Sequence, residues 1–142
     1  MATMHPYLNF DGKAEEAFNF YKSVFGGEFI FFAKMSDAPE SDQLSEAERN
    51  RVMHVALPIN EHTILMASDC VPSLGHVLKE GNNMYININA ESREDADRLF
   101  NGLSAGGKIE MPMEDMFWGD YFGSFIDKYK ICWMVNYNEN YK

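Results

Sequence analysis

Cysteine is scarce: Cys70 and Cys132 are the only two in 142 residues. Two thiols cannot build the disulfide scaffold of a small secreted domain, and nothing in the sequence pairs them. Basic side chains are also few, 12 Lys and Arg against 22 Asp and Glu, which leaves a formal charge of −10. Nucleic-acid binding needs a basic footprint that displaces counterions from phosphate, and an anionic membrane surface makes the same demand. Neither partner is expected. No run of about 18 apolar residues occurs, and no charged leader followed by an apolar stretch opens the sequence. The expectation is a soluble, cytoplasmic chain, as one ordinary domain or two very small ones.

Rings and thioethers are plentiful by contrast: aromatics make up 14% of the chain, and there are 10 methionines. They supply either a core of bulky, adaptable side chains or the wall of a small-molecule pocket. Composition does not separate the two.

An internal repeat organises the chain. Tyr7-Leu8-Asn9-Phe10 precedes a helical pattern that ends at Gly26-Gly27, and Tyr85-Ile86-Asn87-Ile88 precedes one that ends at Gly106-Gly107. The Tyr-x-Asn pairs lie 78 positions apart and the Gly-Gly pairs 80 apart. Ala14, Ala17, Phe18, Tyr21 and Phe25 form one face of a helix over 13–25, opened by Asp11 or Gly12 and closed by the glycine pair. Ala96, Leu99, Phe100 and Leu103 do the same for a helix over 93–105, where Ser92 and Asp95 resemble a capping box. Strands are expected over 4–10, 28–34, 52–59 and 63–68, then over 85–89, 108–113, 121–126 and 131–137. Each half reads βαβββ, an α+β arrangement with the helix on one face of a mixed sheet. The connection over 35–51 is either a mobile surface loop with a helical turn or a lid.

Alternation along a strand assigns the faces. Leu8, Phe10, Ile86 and Ile88 point under the helices. Tyr7, Asn9, Tyr85 and Asn87 take the opposite face, with His54 and Ala56 of the third strand. That face carries polar and aromatic groups, as a cavity wall or as a surface in solvent.

The residues now resemble a known family. Pro6-Tyr7-Leu8-Asn9-Phe10-Asp11-Gly12, Glu15-Glu16-Ala17, Phe20-Tyr21, Arg51-Val52-Met53-His54 and Leu65-Met66-Ala67-Ser68-Asp69 look like PhnB-like proteins. So do Gly107-Lys108-Ile109-Glu110-Met111 and the block Phe117-Trp118-Gly119-Asp120-Tyr121-Phe122-Gly123 with Asp127-Lys128 and Trp133-Met134. PhnB-like proteins are a branch of the vicinal oxygen chelate superfamily, with glyoxalase I, bleomycin-resistance proteins and extradiol dioxygenases. The resemblance implies the glyoxalase/bleomycin-resistance fold: two βαβββ modules, about 1–70 and 82–142, in one domain over 1–142 whose curled mixed sheet encloses a shared cavity. It also implies a homodimer.

Metal-dependent members of the superfamily hold a divalent ion that polarises vicinal oxygens as a Lewis acid. Their four ligand places fall near residues 5–7, 66–68, 83–85 and 134–136 of this chain. His5 alone is a ligand of the usual type there, whereas zinc, nickel or iron needs several converging donors. No metal site is therefore expected, although a divalent metal is possible if His5, His54 and Asp69 act as shifted ligands of a lyase or dioxygenase.

His54 and Asp69 are the candidate catalytic pair, since a carboxylate that fixes an imidazole gives a general base; the bland reading is a structural hydrogen bond, or no contact. Tyr7, Asn9, Tyr85, Asn87, Trp118 and Phe122 are the candidate ligand contacts. His62 and His76 fall in a turn and a loop and read as solvated, and Glu114-Asp115 read as exposed carboxylates or acid–base groups. Where the family continues with glycine after Asp-Lys, this chain has Tyr129-Lys130, which puts a tight turn there in doubt.

The leading expectation is a small-molecule-binding protein with an unidentified reaction, or an enzyme of the metal-dependent kind, or a protein that sequesters an antibiotic. Family members also carry the label demethylubiquinone methyltransferase. A Rossmann-type methyltransferase cradles its cofactor on a glycine-rich strand-to-helix turn; here both glycine pairs follow helices. The phosphonate association of the PhnB name finds no phosphate cradle in the sequence, and the net charge disfavours an anionic substrate.

Overall fold

The structure is a computed structural model that describes residues 2–141. It divides into two compact units, the first ending at Lys79 and the second beginning at Glu80. The first contains β1 (Tyr7–Phe10), α1 (Ala14–Phe25), β2 (Phe31–Lys34), the short α2 (Glu46–Arg49), β3 (Val52–Pro58) and β4 (Ile64–Asp69). The second contains β5 (Ile86–Asn89), α3 (Arg93–Ser104), β6 (Lys108–Asp115), β7 (Tyr121–Ile126) and β8 (Cys132–Tyr137). Each unit has its own four-stranded sheet, in the orders β1-β4-β3-β2 and β5-β8-β7-β6. The outer pairs β1–β4 and β5–β8 are parallel and the others antiparallel. The two expected βαβββ modules are both present. No helix among the described residues is long and apolar enough to cross a membrane.

The helix faces follow the periodicity. Ala14, Ala17, Phe18 and Tyr21 of α1 are buried with Leu8, Phe10, Val55, Leu57, Leu65 and Ala67 of the first sheet. Ala96, Leu99, Phe100 and Leu103 of α3 are buried with Phe125, Trp133 and Val135 of the second. Ile86 and Ile88 share this face but stay half-buried, unlike Leu8 and Phe10 on the equivalent edge strand β1.

The start of α1 differs from expectation. Its cap residue is Lys13, with no side-chain cap bond. Neither Asp11 nor Gly12 opens it: the Ala14 N–H donates instead to Asp69 Oδ1, at 3.0 Å, from the distant strand β4. For α3, Ser92 Oγ accepts from the Asp95 N–H at 3.0 Å as expected, but the Asp95 carboxylate reaches the Glu91 N–H rather than that of Ser92. Strand ends also shift. β1 starts at Tyr7 and β2 at Phe31, later than expected, while β6 runs on to Asp115.

The second glycine pair divides its labour. Gly106 adopts φ 78° and turns the chain out of α3. A Cβ on Gly107 would stand 2.2 Å from the Ile126 carbonyl oxygen, so β6 reaches β7 only because that atom is missing.

The connection over 35–51 contains the expected helical turn. Its ends meet through the Met35 N–H and the Arg51 carbonyl at 2.8 Å. The Glu48 carboxylate accepts from Ser73 N–H at 3.1 Å and Ser73 Oγ at 2.6 Å, which ties this connection to the loop after β4. Those two bonds hold Glu48 below the ordinary glutamate range.

The doubt about the β7–β8 turn is removed. Lys130 takes φ 75°, the left-handed conformation that glycine adopts freely, and its N–H donates to the Asp127 carbonyl at 3.0 Å. The turn is held by the buried Asp127 carboxylate. Oδ1 accepts from the Tyr129 and Ile131 N–H groups at 2.8 and 3.0 Å, and Oδ2 accepts from Trp133 Nε1 at 2.8 Å. The turn therefore persists against the cost of a side chain at positive φ, about 1 kcal/mol. Lys130→Gly should recover that cost, raising the thermal midpoint by about 3–5 °C; calorimetry of the two proteins checks it, and an unchanged or lower midpoint would count against a strained turn.

Candidate functional site

Register fixes which side chains share the face of the first sheet away from α1. Tyr7 is matched to Met66, Asn9 to Ser68, Ala56 to both Met66 and Phe31, and Ala33 to His54. Matched residues point the same way, so Tyr7, Asn9, His54, Phe31 and Ser68 occupy one face. Tyr7 Oη and His54 Nδ1 are 3.0 Å apart, and the two rings stack at 5.6 Å with an interplanar angle of 25°. Phe31 stands on the other side of His54, ring centres 5.4 Å apart. Tyr7 and Phe31 remain 43% and 49% exposed, so the row is open on its outer side.

The Tyr7–His54 bond leaves one imidazole nitrogen for chemistry. With Tyr7 Oη–H donating to Nδ1, the ring proton sits on Nε2 and faces a ligand as a donor. With Nδ1–H donating to Oη, Nε2 carries a lone pair and serves as a base.

The expected His54–Asp69 pair does not form. Asp69 is matched to Phe10, on the helix side of the sheet, and is 4% exposed. Its Oδ1 accepts from Ala14 N–H at 3.0 Å and its Oδ2 from Val52 N–H at 2.8 Å. Both oxygens are committed to backbone donors, and the orienting partner of His54 is Tyr7.

At the carboxyl ends of β1 and β4 the same face leads into a cavity of about 600 Å³. Asn9 of β1, Ser68 and Asp69 of β4, and Cys70, His76 and Lys79 of the loop after β4 line it. His76 is exposed, as expected, but it is also held: its Nδ1 accepts from the Val71 N–H at 2.9 Å. Behind the cavity, Arg51 donates to Asp11 Oδ1 at 2.8 Å and to the Cys70 carbonyl at 2.6 Å. Burial and the neighbouring Asp11 carboxylate push the Cys70 thiol up, which keeps it protonated and a poor nucleophile.

Module two presents a different face. Asn87 is matched to Met134, Asn89 to Asn136 and Phe122 to Asn136, so these point away from α3. Asn87 Nδ2 donates to Asn89 Oδ1 at 3.1 Å. Tyr85 lies just before β5, and its hydroxyl donates to Glu110 at 2.7 Å. Trp118 is in the β6–β7 hairpin, 55% exposed, with its indole N–H on Asp120 at 2.8 Å. Asp115 forms a two-pronged ion pair with Arg93 at 2.7 and 3.2 Å, whereas Glu114 is exposed. None of these gives module two a counterpart of the Tyr7–His54 pair.

The donors for a metal do not converge. His5 Nδ1 accepts from Ile64 N–H at 3.0 Å, Asp69 lies on the helix side, and His54 is bound to Tyr7. Among the described residues no group of three or more His, Cys, Asp or Glu is placed to hold an ion. The shifted-ligand set His5, His54 and Asp69 thus does not fit the superfamily's metal chemistry.

Comparison with known proteins settles the family. The profile of the family described as 3-demethylubiquinone-9 3-methyltransferase matches residues 2–136. The chain belongs to this family. Protein YjdN of Escherichia coli is 30% identical over 141 residues, covering 94% of this chain and 93% of YjdN. The crystal structure of PA1353 from Pseudomonas aeruginosa superposes with a TM-score of 0.86 at 33% identity, over 97% and 98% of the two chains. A PhnB protein from Bacillus cereus, described as a putative 3-demethylubiquinone-9 3-methyltransferase, gives 0.76 at 27%, over 96% and 99%. A glyoxalase/bleomycin resistance protein/dioxygenase family enzyme from Burkholderia phytofirmans, at 14% identity and 0.56 over 94% and 95%, shares the fold alone.

The methyltransferase in the family's description finds no cofactor cradle of the Rossmann kind among the described residues. Both sheets are mixed, and the strand-to-helix turns read Asp11-Gly12-Lys13 and Ala90-Glu91-Ser92. Both Gly-Gly pairs lie after helices, in contrast to a glycine-rich turn that opens one.

Phe31, Glu110 and the held His76 were missed by reading the sequence. Alternation from Ala33 would have placed Phe31 on the His54 face. Nothing local announces the Tyr85–Glu110 contact. Glu110 pushes the Tyr85 hydroxyl up to about 12, chiefly by accepting its hydrogen bond. That interaction is complete below pH 10, where folded and unfolded chains both keep the proton, and is lost as pH rises through about 12. Ultraviolet titration of Glu110→Gln against the parent should show one tyrosine ionising at lower pH; superimposable curves would remove the contact.

Proposed function

We propose that this protein binds a small organic molecule on the open face of module one, with the Tyr7–His54 pair as its polar anchor and Phe31 as its apolar wall. The Tyr7 Oη to His54 Nδ1 bond, on stacked and solvent-open rings, carries this reading. It orients an imidazole that no structural carboxylate engages, and it leaves Nε2 free to meet a ligand. A histidine serving the core alone would have both nitrogens satisfied within it.

Asn9 extends the polar wall. We assign Tyr85, Asn87, Trp118 and Phe122 to ligand contact on module two's own surface, where aromatic and carboxamide groups recur. His54 is the group for any chemistry, as hydrogen-bond donor or as base. The supporting geometry is the same for either role, so the proposal covers binding and leaves the reaction unnamed. Homodimeric assembly, a cytoplasmic location and the joint folding of residues 1–142 as one domain belong to the same proposal, on the strength of the superfamily resemblance.

A ligand-observed NMR screen of aromatic and heteroaromatic fragments tests it with the parent protein and two variants, Tyr7→Phe and His54→Ala. Fragments should bind the parent, lose about tenfold or more in affinity with His54→Ala, and weaken with Tyr7→Phe. Fragments that bind both variants as well as the parent would overturn it.

A further inference from the structure

We infer that the cavity at the carboxyl ends of β1 and β4 is a subsite for an anionic group, a carboxylate or a phosphoryl group. The inference rests on the proposed ligand face only for continuity, since Asn9 and Ser68 belong to both; its own support is the donor set of the cavity wall.

The residues that line it are Asn9, Ser68, Asp69, Cys70, His76, Val77, Leu78 and Lys79, and the volume of about 600 Å³ suits a small organic ligand. Asn9, Ser68, His76 and Lys79 carry side-chain donors, whereas the Cys70 S–H is already given to Asp11 Oδ1 at 3.6 Å. The one carboxylate among them, Asp69, has both oxygens accepting backbone N–H groups. Its side chain lies on the helix side of the sheet, with Phe10.

His76 has its proton placed by the fold. Nδ1 accepts from the Val71 N–H at 2.9 Å, so the neutral ring carries its hydrogen on Nε2 and can only donate there. Lys79 makes no ion pair among the described residues, so its ammonium is available.

The stretch over 71–76 that ends in His76 is built before any ligand arrives. Val71 is fully buried, Leu74 and Gly75 N–H groups close a turn onto Val71 and Pro72 at 2.9 and 3.0 Å, and Ser73 is clamped by Glu48. A preorganised set of donors binds an oxyanion without paying to order a loop. The charge of −10 opposes anions at long range, but contact donors act within a few ångströms, where salt screens the rest of the chain.

Amide-resolved NMR titration of the full chain with sodium acetate, inorganic phosphate and methylphosphonate at constant ionic strength, with sodium chloride as control, tests the inference. The Val71 amide, bonded to His76, and the amides of Gly75 to Lys79 should shift and saturate with acetate or with the phosphorus anions. Lys79→Met should weaken that binding about tenfold and His76→Gln similarly, each removing one donor to a charged group. Tighter binding of phosphate or methylphosphonate than acetate assigns a phosphoryl ligand, and the reverse order a carboxylate. Shifts that match chloride, or that Lys79→Met and His76→Gln both leave unchanged, would overturn the subsite. His54→Ala should change anion binding by less than about twofold. If it abolishes that binding, the anion sits on the Tyr7–His54 face, and the subsite fails while the proposed function stands. If fragments ignore His54 but anions still depend on Lys79, the proposed function fails and the subsite stands.

Discussion

One buried carboxylate holds module one together. Asp69 ends β4, and its two oxygens take the first N–H of α1 and an N–H at the start of β3. Three elements far apart in sequence meet at this group. A helix start that is buried needs acceptors for its leading N–H groups, and a charge near that end of the macrodipole is favoured. Asp69 meets both needs from the neighbouring strand, which is why α1 has no side-chain cap of its own. Because this carboxylate works on the helix side, the other side of the sheet is left with a histidine whose orienting partner is a tyrosine. The division between a structural face and an open face starts from that one residue.

Module two reaches stability by another carboxylate. Asp127 secures the β7–β8 turn and the Trp133 indole, and the β-turn it builds tolerates a lysine where glycine is easier. α3 meanwhile has its own serine cap. The modules are thus alike in topology but not in the interactions that hold them. The same divergence applies to their open faces: an imidazole–phenol pair on one, carboxamides with a phenylalanine on the other. The two modules share one frame while the chemistry on each differs.

Much of the frame was legible in the sequence. The Tyr-x-Asn and Gly-Gly pairs marked two equivalent units, and alternation put Tyr7, Asn9 and His54 on one face because a period of two leaves little freedom. Helix periodicity located both buried stripes. What escaped were contacts between residues distant in sequence that no local pattern encodes. Asp69 lies beside His54 in the motif order of the family, yet strand parity turns it to the other side of the sheet. The hold of Glu48 on Ser73 depends on how two long loops meet, and that of Val71 on His76 on how one of those loops turns back on itself. Lys130 failed as a signal for a different reason, since turn propensity is worth about 1 kcal/mol and the Asp127 carboxylate outweighs it.

Chemical denaturation of Asp69→Ala and His54→Ala beside the parent protein tests most directly whether the two residues have the separate roles assigned to them. Asp69→Ala leaves two buried N–H groups without acceptors and should cost at least about 2 kcal/mol. His54→Ala removes a half-open ring whose one bond is to an exposed tyrosine, and should cost less than about 1 kcal/mol. A His54→Ala loss as large as that of Asp69→Ala, or an Asp69→Ala protein as stable as the parent, would contradict this account.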